Sequence, residues 1–248
     1  KRLIETNERL NQLLEERSDF IKMAVHDLKS PLYCIVGYIE LLKDAVSDQL
    51  NDEQRQYLEI IQRRAEVTTQ LVDDLLEVDR IEAGQAPLSP RWVDIYPVAM
   101  VAANGMEMLA QHNNISIRWQ GSTSLPNVFA DSAALERILT NLLSNAVKYS
   151  LPGGQVTMRA DVRDSHVRVE VSDQGIGIAL EDQLRVFQRF YRTQEARESG
   201  IAGTGLGLAI VQALVHQLHG EVGVESEIGK GSTFWFTLPR TPSGFHSM

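Results

Sequence analysis

Asn141-Leu142-Leu143-Ser144-Asn145-Ala146-Val147-Lys148-Tyr149 follows Asp131, a residue whose carboxylate can cap a helix by accepting its first N–H groups. At about 100° per residue, Asn141, Asn145 and Lys148 fall on one face, within about 60° of one another, and Leu135, Leu142 and Ala146 project roughly 100° away. The helix, expected to run to about Ser150, therefore carries one apolar stripe for a core and one stripe of two amides with an ammonium. An amide oxygen is a hard neutral ligand suited to Mg²⁺, which keeps several waters and is otherwise shared with phosphates. Lysine supplies a point charge for the same phosphates. Taken alone, the stretch also fits a solvated helix face that happens to hold two asparagines.

Outward from this helix the pattern is mixed. Trp92 to Ile95 reads as a short strand, Val98 to Gln111 as a helix, and Ile115, Ile117 and Trp119 as an alternating strand. Downstream, Val156, Met158, Ala160 and Val162 alternate, as do Val167, Val169 and Val171, with Asp164-Ser165 as the turn of a hairpin. A short helix and a polar stretch at Thr193 to Gly200 precede a helix from Leu206 to His219 that Gly220 ends. Strands near Glu221 to Glu225 and Thr233 to Leu238 complete a mostly antiparallel sheet. Helices on one face of it make a two-layer α/β sandwich. Two glycine-rich loops enter this body: Asp173-Gln174-Gly175-Ile176-Gly177-Ile178 directly after a strand, and Gly203-Thr204-Gly205-Leu206-Gly207-Leu208 opening the last helix. Such loops approach a ligand closely, and a helix N-terminus offers N–H groups to anions. Neither common nucleotide fold fits, however. Leu208 stands where a dinucleotide loop needs its last glycine, and Val224 stands where a P-loop ending at Gly229-Lys230-Gly231-Ser232 needs its first.

Before a linker at Gln85 to Pro90, the chain is helical. Leu3, Leu10 and Ala24, with Leu14, Ile21 and Leu28, occupy heptad a and d positions interrupted by Asn7 and Arg17, so residues 1–17 read as a coiled coil entering a bundle. The pattern continues through Ile35, Ile39 and Leu42 to a polar turn near Ser47 to Asn51. A second helix starts at the cap Asn51, carries Tyr57, Ile61, Thr68, Leu71, Leu75 and Val78 on one stripe, and stops at Gly84. Two antiparallel helices cannot cover their own apolar faces, and pairing with a second copy gives a dimeric four-helix bundle. Inside the first helix lies His26-Asp27-Leu28-Lys29-Ser30-Pro31-Leu32. Pro31 either bends the helix one turn past an imidazole, or opens a new helix capped by Ser30.

The composition agrees: 248 residues, 43% hydrophobic and 23% charged, suffice for one large or two modest domains. The single cysteine, Cys34, rules out an internal disulfide and a cysteine metal cage, and reads as a small core residue. Residues 1–86 hold 18 acidic and 11 basic side chains, minus 7 of the chain's minus 9, which argues against a nucleic-acid face. No run of about 18 apolar residues and no signal peptide occurs. The chain starts without Met and in mid-helix pattern, as a piece of a longer protein would. The fragment is expected to be cytoplasmic, and the sequence leaves membrane anchoring of the whole protein open.

These stretches, in this order, resemble the catalytic core of a sensor histidine kinase of a two-component system. The likeness runs from about Asp19 to Leu238: a histidine box at His26 to Pro31, an asparagine box at Asn141 to Tyr149, glycine boxes at Asp173 to Ile178 and Gly203 to Gly207, and a phenylalanine box, Phe187-Gln188-Arg189-Phe190-Tyr191-Arg192. A further glycine-rich match, Gly229 to Phe234, precedes the last strand. The resemblance implies a dimerisation and phosphoacceptor domain at 18–86, a Bergerat-type ATP-binding domain at 87–241 and a tail at 242–248. It implies ATP and Mg²⁺, a homodimer, a response-regulator receiver domain as partner, an upstream sensor domain, and no nucleic acid. His26 would be the nucleophile, Asp27 its orienting base, and Ser30 the position where relatives that also dephosphorylate their regulator usually carry Thr or Asn. Asp173 would accept from the adenine amino group, with Gly175 and Gly177 shaping its loop. Asn145 would hold Mg²⁺, Asn141 and Lys148 would address the phosphates, and Tyr149 would lie near the nucleoside. Gly203, Thr204, Gly205, Leu206 and Gly207 would cradle the phosphates under a lid from about Ile178 to Ala202, and Arg192 would meet the γ-phosphoryl. Phe187 and Phe190, core residues by their own pattern, would anchor the start of the lid.

Two alternatives are disfavoured on the same residues. A chaperone- or gyrase-like ATPase needs a glutamate one turn before the Mg²⁺-binding asparagine, and Asn141 stands there; an amide cannot take up a proton. A pseudokinase acting as a dimeric module does not account for a full set of boxes. His112, His166, His216, His219 and His246 have no comparable surroundings and read as surface or core histidines.

Overall fold

A proline inside a helix removes one hydrogen bond, yet the long apolar pattern around Pro31 outweighs that loss. In the computed structural model, which describes residues 2–46, 50–201 and 203–241 but not the side chains of 2–8, 10–22 and 26, one helix, α1 (Arg2–Val46), runs through Pro31 unbroken. Ser30 is therefore a mid-helix residue and not a cap. Apart from Arg9, the side chains of the expected coiled coil at 1–17, with the turn residues 47–49 and the tail 242–248, lie outside the described residues. The chain divides into two units, Lys1–Ala86 and Pro87–Met248.

In the first unit α1 packs along α2 (Asp52–Glu82). Asn51 caps α2 with a full capping box: its side chain accepts from Gln54 N–H at 2.8 Å and its own N–H donates to Gln54 Oε1 at 3.0 Å. At the far end Gly84, at φ 66°, lets Gln85 N–H close back on Arg80 O at 2.8 Å. Lys29 pairs with Asp73, and Lys43 Nζ donates to Gln62 Oε1 at 2.5 Å, fixing the antiparallel register. Among the described residues the hairpin buries a thin seam, including Val25, Ile39, Val72, Val78 and Ile81. Among the described residues several members of the apolar pattern face outward, Tyr38 at 72% and Leu41 at 64% exposure, with Tyr57 and Ile61 also uncovered. Cys34, expected in the core, is exposed for the same reason.

The second unit is the expected α/β sandwich. Its strands are β1 (Arg91–Val93), β2 (Ser116–Gln120), β3 (Val128–Ala130), β4 (Gln155–Arg163), β5 (His166–Ser172), β6 (Val222–Glu227) and β7 (Gly231–Pro239). The helices are α3 (Ile95–His112), α4 (Ser132–Tyr149), α5 (Leu180–Gln183), α6 (Gln194–Glu198) and α7 (Gly207–Gln217). β2, β4, β5, β7 and β6 form one sheet in that order, antiparallel except for the β2–β4 pair, and β1 pairs with β3 in a two-stranded ribbon. The first strand is shorter than its pattern suggests, because Asp94 caps α3 by accepting from Tyr96 N–H at 3.1 Å.

Alternation decides which sheet face is covered. Val167, Val169 and Val171 of β5 sit beside Val162, Ala160 and Met158 of β4, and Val169 sits beside Phe236 of β7. Against this face pack α4, through fully buried Leu135, Ile138, Leu139 and Leu142, and α7, through Ile210, Val211 and Val215. Removing one such side chain down to Ala costs about 2–5 kcal/mol. On the opposite face Arg168 lies 4.4 Å over the Trp235 ring and binds Glu170 and Glu225, each at 2.7 Å, a charged lattice suited to water. The helices thus leave one edge of the sandwich, where β5, α4 and α7 meet their loops, for chemistry.

Candidate active site

Asp173 begins the loop after β5 and is buried, 8% exposed. Its Oδ1 accepts from Gly175 N–H at 2.9 Å and Ser232 N–H at 3.2 Å, and its own N–H donates to Ser232 O at 2.8 Å. One carboxylate oxygen is thereby fixed by two backbone donors. Burial pushes the carboxyl up from 3.8 to about 6, and the two backbone donors pull it the other way. The glycines of this loop meet backbone where side chains cannot go. A Cβ on Gly175 would fall 2.1 Å from Tyr149 O, and one on Gly177, at φ 72°, would fall 2.0 Å from Glu227 O. Ser150 and Gly175 also form a bridge, which ties this loop to the end of α4.

α4 supplies the polar stripe. Asp131 caps it, accepting from Ala133 and Ala134 N–H at 2.8 and 3.0 Å. Asn141 Nδ2 donates to Arg137 O at 3.0 Å, so its oxygen points away from its own helix. That oxygen would stand 2.9 Å from a Cβ on Gly207, the first residue of α7. A Cβ on Gly203 would lie 3.8 Å from Tyr149 Oη and 4.0 Å from Arg192 Nε. Asn145 is half-buried and Lys148 exposed, on the stripe between Asn141 and Tyr149. The second glycine loop therefore runs beside α4, and the first abuts its end.

Within the second loop Thr204 Oγ1 accepts from Leu206 N–H at 3.2 Å. Leu206 itself is fully buried, so its side chain belongs to the core and only its backbone reaches the loop surface. The helix begins one residue later than its pattern suggests. At its far end His219 takes the left-handed position, at φ 58°, and Gly220, expected to end the helix, is needed because a Cβ there would fall 1.9 Å from Thr237 O.

The lid segment opens with α5. Phe187 is buried edge-on against Phe234, with ring centroids 6.3 Å apart. Phe190 is not a core residue: it is 55% exposed at φ 62°, turned outward so that its N–H reaches Gly205 O at 2.9 Å. The Tyr191 hydroxyl donates to Asp182, which raises its pKa, and Arg185 lies 4.4 Å over the Tyr191 ring. Arg192 ties the far lid together, its Nη2 donating to Ala196 O at 2.6 Å and Ile201 O at 2.5 Å, and its Nη1 to Gly203 O at 3.4 Å. The polar stretch around it holds a short helix, α6, capped by Thr193. Ala202, the expected end of the lid, lies outside the described residues.

In the other unit His26 lies within α1, with its side chain outside the described ones; Asp27 and Ser30 are exposed on the same helix. Sequence reasoning did not assign Ser232 to the site. Its signal was the glycine-rich stretch before the last strand, which lets Gly231, at φ 98°, pass against Asp173 O.

Two family models match the chain. One, described as the His Kinase A (phospho-acceptor) domain, covers residues 16–84. The other, described as Histidine kinase-, DNA gyrase B-, and HSP90-like ATPase, covers residues 130–242. Sensor histidine kinase WalK of Bacillus subtilis is 33% identical over 231 residues, 91% of this chain and 37% of its own length. Full-length ShkA, crystallised in complex with AMPPNP, superposes with a TM-score of 0.76 at 34% identity, over 89% of this chain and 45% of that one. The mycobacterial sensor histidine kinase MprB superposes with a TM-score of 0.51 at 30% identity, over 61% of this chain and 97% of that one. The chain spans about a third of the length of the first curated relatives it matches.

Proposed function

Because the chain belongs to the sensor histidine kinase family, the protein-histidine kinases, we propose that it phosphorylates itself on His26 from ATP and passes the phosphoryl group to an aspartate of a response regulator. The observation that carries this reading is the meeting of Asp173, Asn141, Tyr149 and the Gly203–Gly207 loop at one edge of the sandwich. A buried carboxylate with one oxygen fixed by two N–H groups offers the other to a donor, and the adenine amino group is one; a guanine carbonyl is not.

The donor set fits a nucleotide-borne cation. Among the described residues no cluster of three His, Cys, Asp or Glu is placed to hold a metal, so the protein contribution rests on the amide oxygen of half-buried Asn145. Mg²⁺ bound there with the phosphates would neutralise charge as the γ-phosphoryl moves. Asn141 and Lys148 address the phosphates, and Arg192 exchanges lid carbonyls for a γ-phosphoryl oxygen. His26, as neutral imidazole, bonds to the γ-phosphorus through one ring nitrogen as the β–γ bridge bond breaks and ADP departs. Asp27 orients the other ring nitrogen and takes up the released proton.

The uncovered apolar face of the α1–α2 hairpin supports assembly into a dimeric four-helix bundle. Among the described residues no helix is long and apolar enough to cross a membrane. We place this part of the protein in the cytoplasm, downstream of a sensor domain. Ser30 retains a hydroxyl on the histidine helix, one turn after His26, where it could orient water for regulator dephosphorylation. The direct test of the nucleotide site is Asn145→Ala, which should cut Mg²⁺-ATP-dependent self-labelling by at least about 100-fold while the circular dichroism spectrum is kept. Unchanged labelling kinetics would remove Asn145 from the site.

A further inference from the structure

Ser226, on β6, faces Ser232 across the β6–β7 pair. Its hydroxyl is saturated. It accepts the Ile178 N–H at 2.8 Å and lies 2.8 Å from Gly231 O and 3.0 Å from Ser232 Oγ. A hydroxyl has one proton, and a carbonyl can only accept. The Ser226 proton therefore goes to Gly231 O, and Ser232 must give its own proton to Ser226. Ser232 is the residue whose backbone N–H and carbonyl clasp Asp173, and Ile178 is where the lid begins. A second link runs through the main chain: Gln183 Nε2, at the end of α5, donates to Ser226 O at 2.8 Å and reaches Ile178 O at 3.3 Å. The adjoining backbone closes the frame, Gly229 N–H donating to Ile176 O at 2.8 Å.

We infer that Ser226 is a positioning residue for the nucleotide site, joining the root of the lid, Ile178–Gln183, to the strand end that braces Asp173. The inference rests on the nucleotide reading above. The base-reading carboxylate and the lid root form one body, and closure over the phosphates happens beyond Gln183. Without the hydroxyl, the Ile178 N–H is left without its acceptor and Ser232 without its proton acceptor, so the lid root drifts from the base.

The test compares Ser226→Thr with Ser226→Val, which have nearly the same shape and differ in the hydroxyl. Self-labelling kinetics with ATP are measured for each, with trypsin cleavage at lid arginines Arg185 and Arg189 in saturating ATP. Ser226→Thr should stay within about twofold of the parent. Ser226→Val should raise the KM for ATP about tenfold, leave kcat within about twofold, and speed lid cleavage. Gln183→Leu should raise KM in the same direction, and the double variant should be no worse than Ser226→Val, because both act through one network. If Ser226→Val does not fold, Gln183→Leu carries the test. Equal KM for the Thr and Val variants, a fall in melting temperature with KM unmoved, or single effects that multiply in the double variant would each overturn the inference. Asp173→Asn separates the two readings. If that variant binds ATP like the parent, the nucleotide site is wrong; if it is defective while Ser226→Val is normal, only the role of Ser226 is lost.

Discussion

Asp173, a buried carboxylate, should cost the fold stability, and Asp173→Asn measures that cost. The carboxyl titrates near 6 in the folded chain against 3.8 when solvated. Its folded pKa is raised, so the native state holds the proton more tightly and is favoured at low pH. The penalty is absent below the unfolded value, grows between about 4 and 6, and is complete above the folded one. A shift of about 2 units corresponds to about 3 kcal/mol at pH 7.5 and, by the same linkage, to about half that at pH 5. Asparagine keeps an oxygen for the Gly175 and Ser232 N–H groups and carries no charge to desolvate. Thermal melts of Asp173→Asn should therefore lie above the parent at pH 7.5, by about 6–10 °C for a unit of this size, with the gap narrowing by about half at pH 5. The same variant should bind ATP at least about 100-fold more weakly, because its amide presents N–H to the adenine amino group. In the parent, ATP affinity should fall as pH drops below about 6, where the accepting oxygen becomes protonated. An Asp173→Asn protein that is less stable than the parent at pH 7.5, or that binds ATP equally well, would refute the reasoning.

Two further outcomes follow from the helical unit. Asn51→Ala removes the side-chain acceptor of the Gln54 N–H in the capping box at α2 and should lower stability by about 1 kcal/mol, read by urea unfolding; no loss would mean the cap is frayed in solution. Leu41→Glu places a charge on the uncovered face of α1. It should shift the protein from dimer to monomer in sedimentation with helix content kept, and an unchanged dimer would put the interface elsewhere.

The sandwich was legible because α4 and the β4–β5 hairpin each bury one regular stripe, and period alone reports that. Val128 to Ala130 was not legible as a strand. Three residues carry no period, and they become β3 only by pairing with Arg91 to Val93. Pro31 was ambiguous for the opposite reason: local chemistry allows a bend within one helix or a new helix capped by Ser30, and the continuous α1, packed on both sides at Val25 and Ile39, removes the second. Cys34 and Phe190 share a lesson. An apolar residue in a patterned stretch is buried only if something covers that stretch, and the single hairpin covers one seam while Phe190 takes a left-handed turn. Of the candidate site, Asp173 and the glycines are suggested by their order in the chain. Ser226 and Gln183 were not, since a serine near the end of an edge strand and a glutamine in a short helix carry no pattern; only the fold brings them to Ile178.

The central claim is that a single histidine takes the γ-phosphoryl group. Incubating the chain with γ-labelled ATP and Mg²⁺, then testing the label for acid and alkali stability, measures it directly. The account predicts an acid-labile, alkali-stable phosphoryl group that is absent from His26→Gln, while that variant still binds ATP with the parent's affinity. Label that persists in His26→Gln, or that survives acid and is lost in alkali, would contradict it.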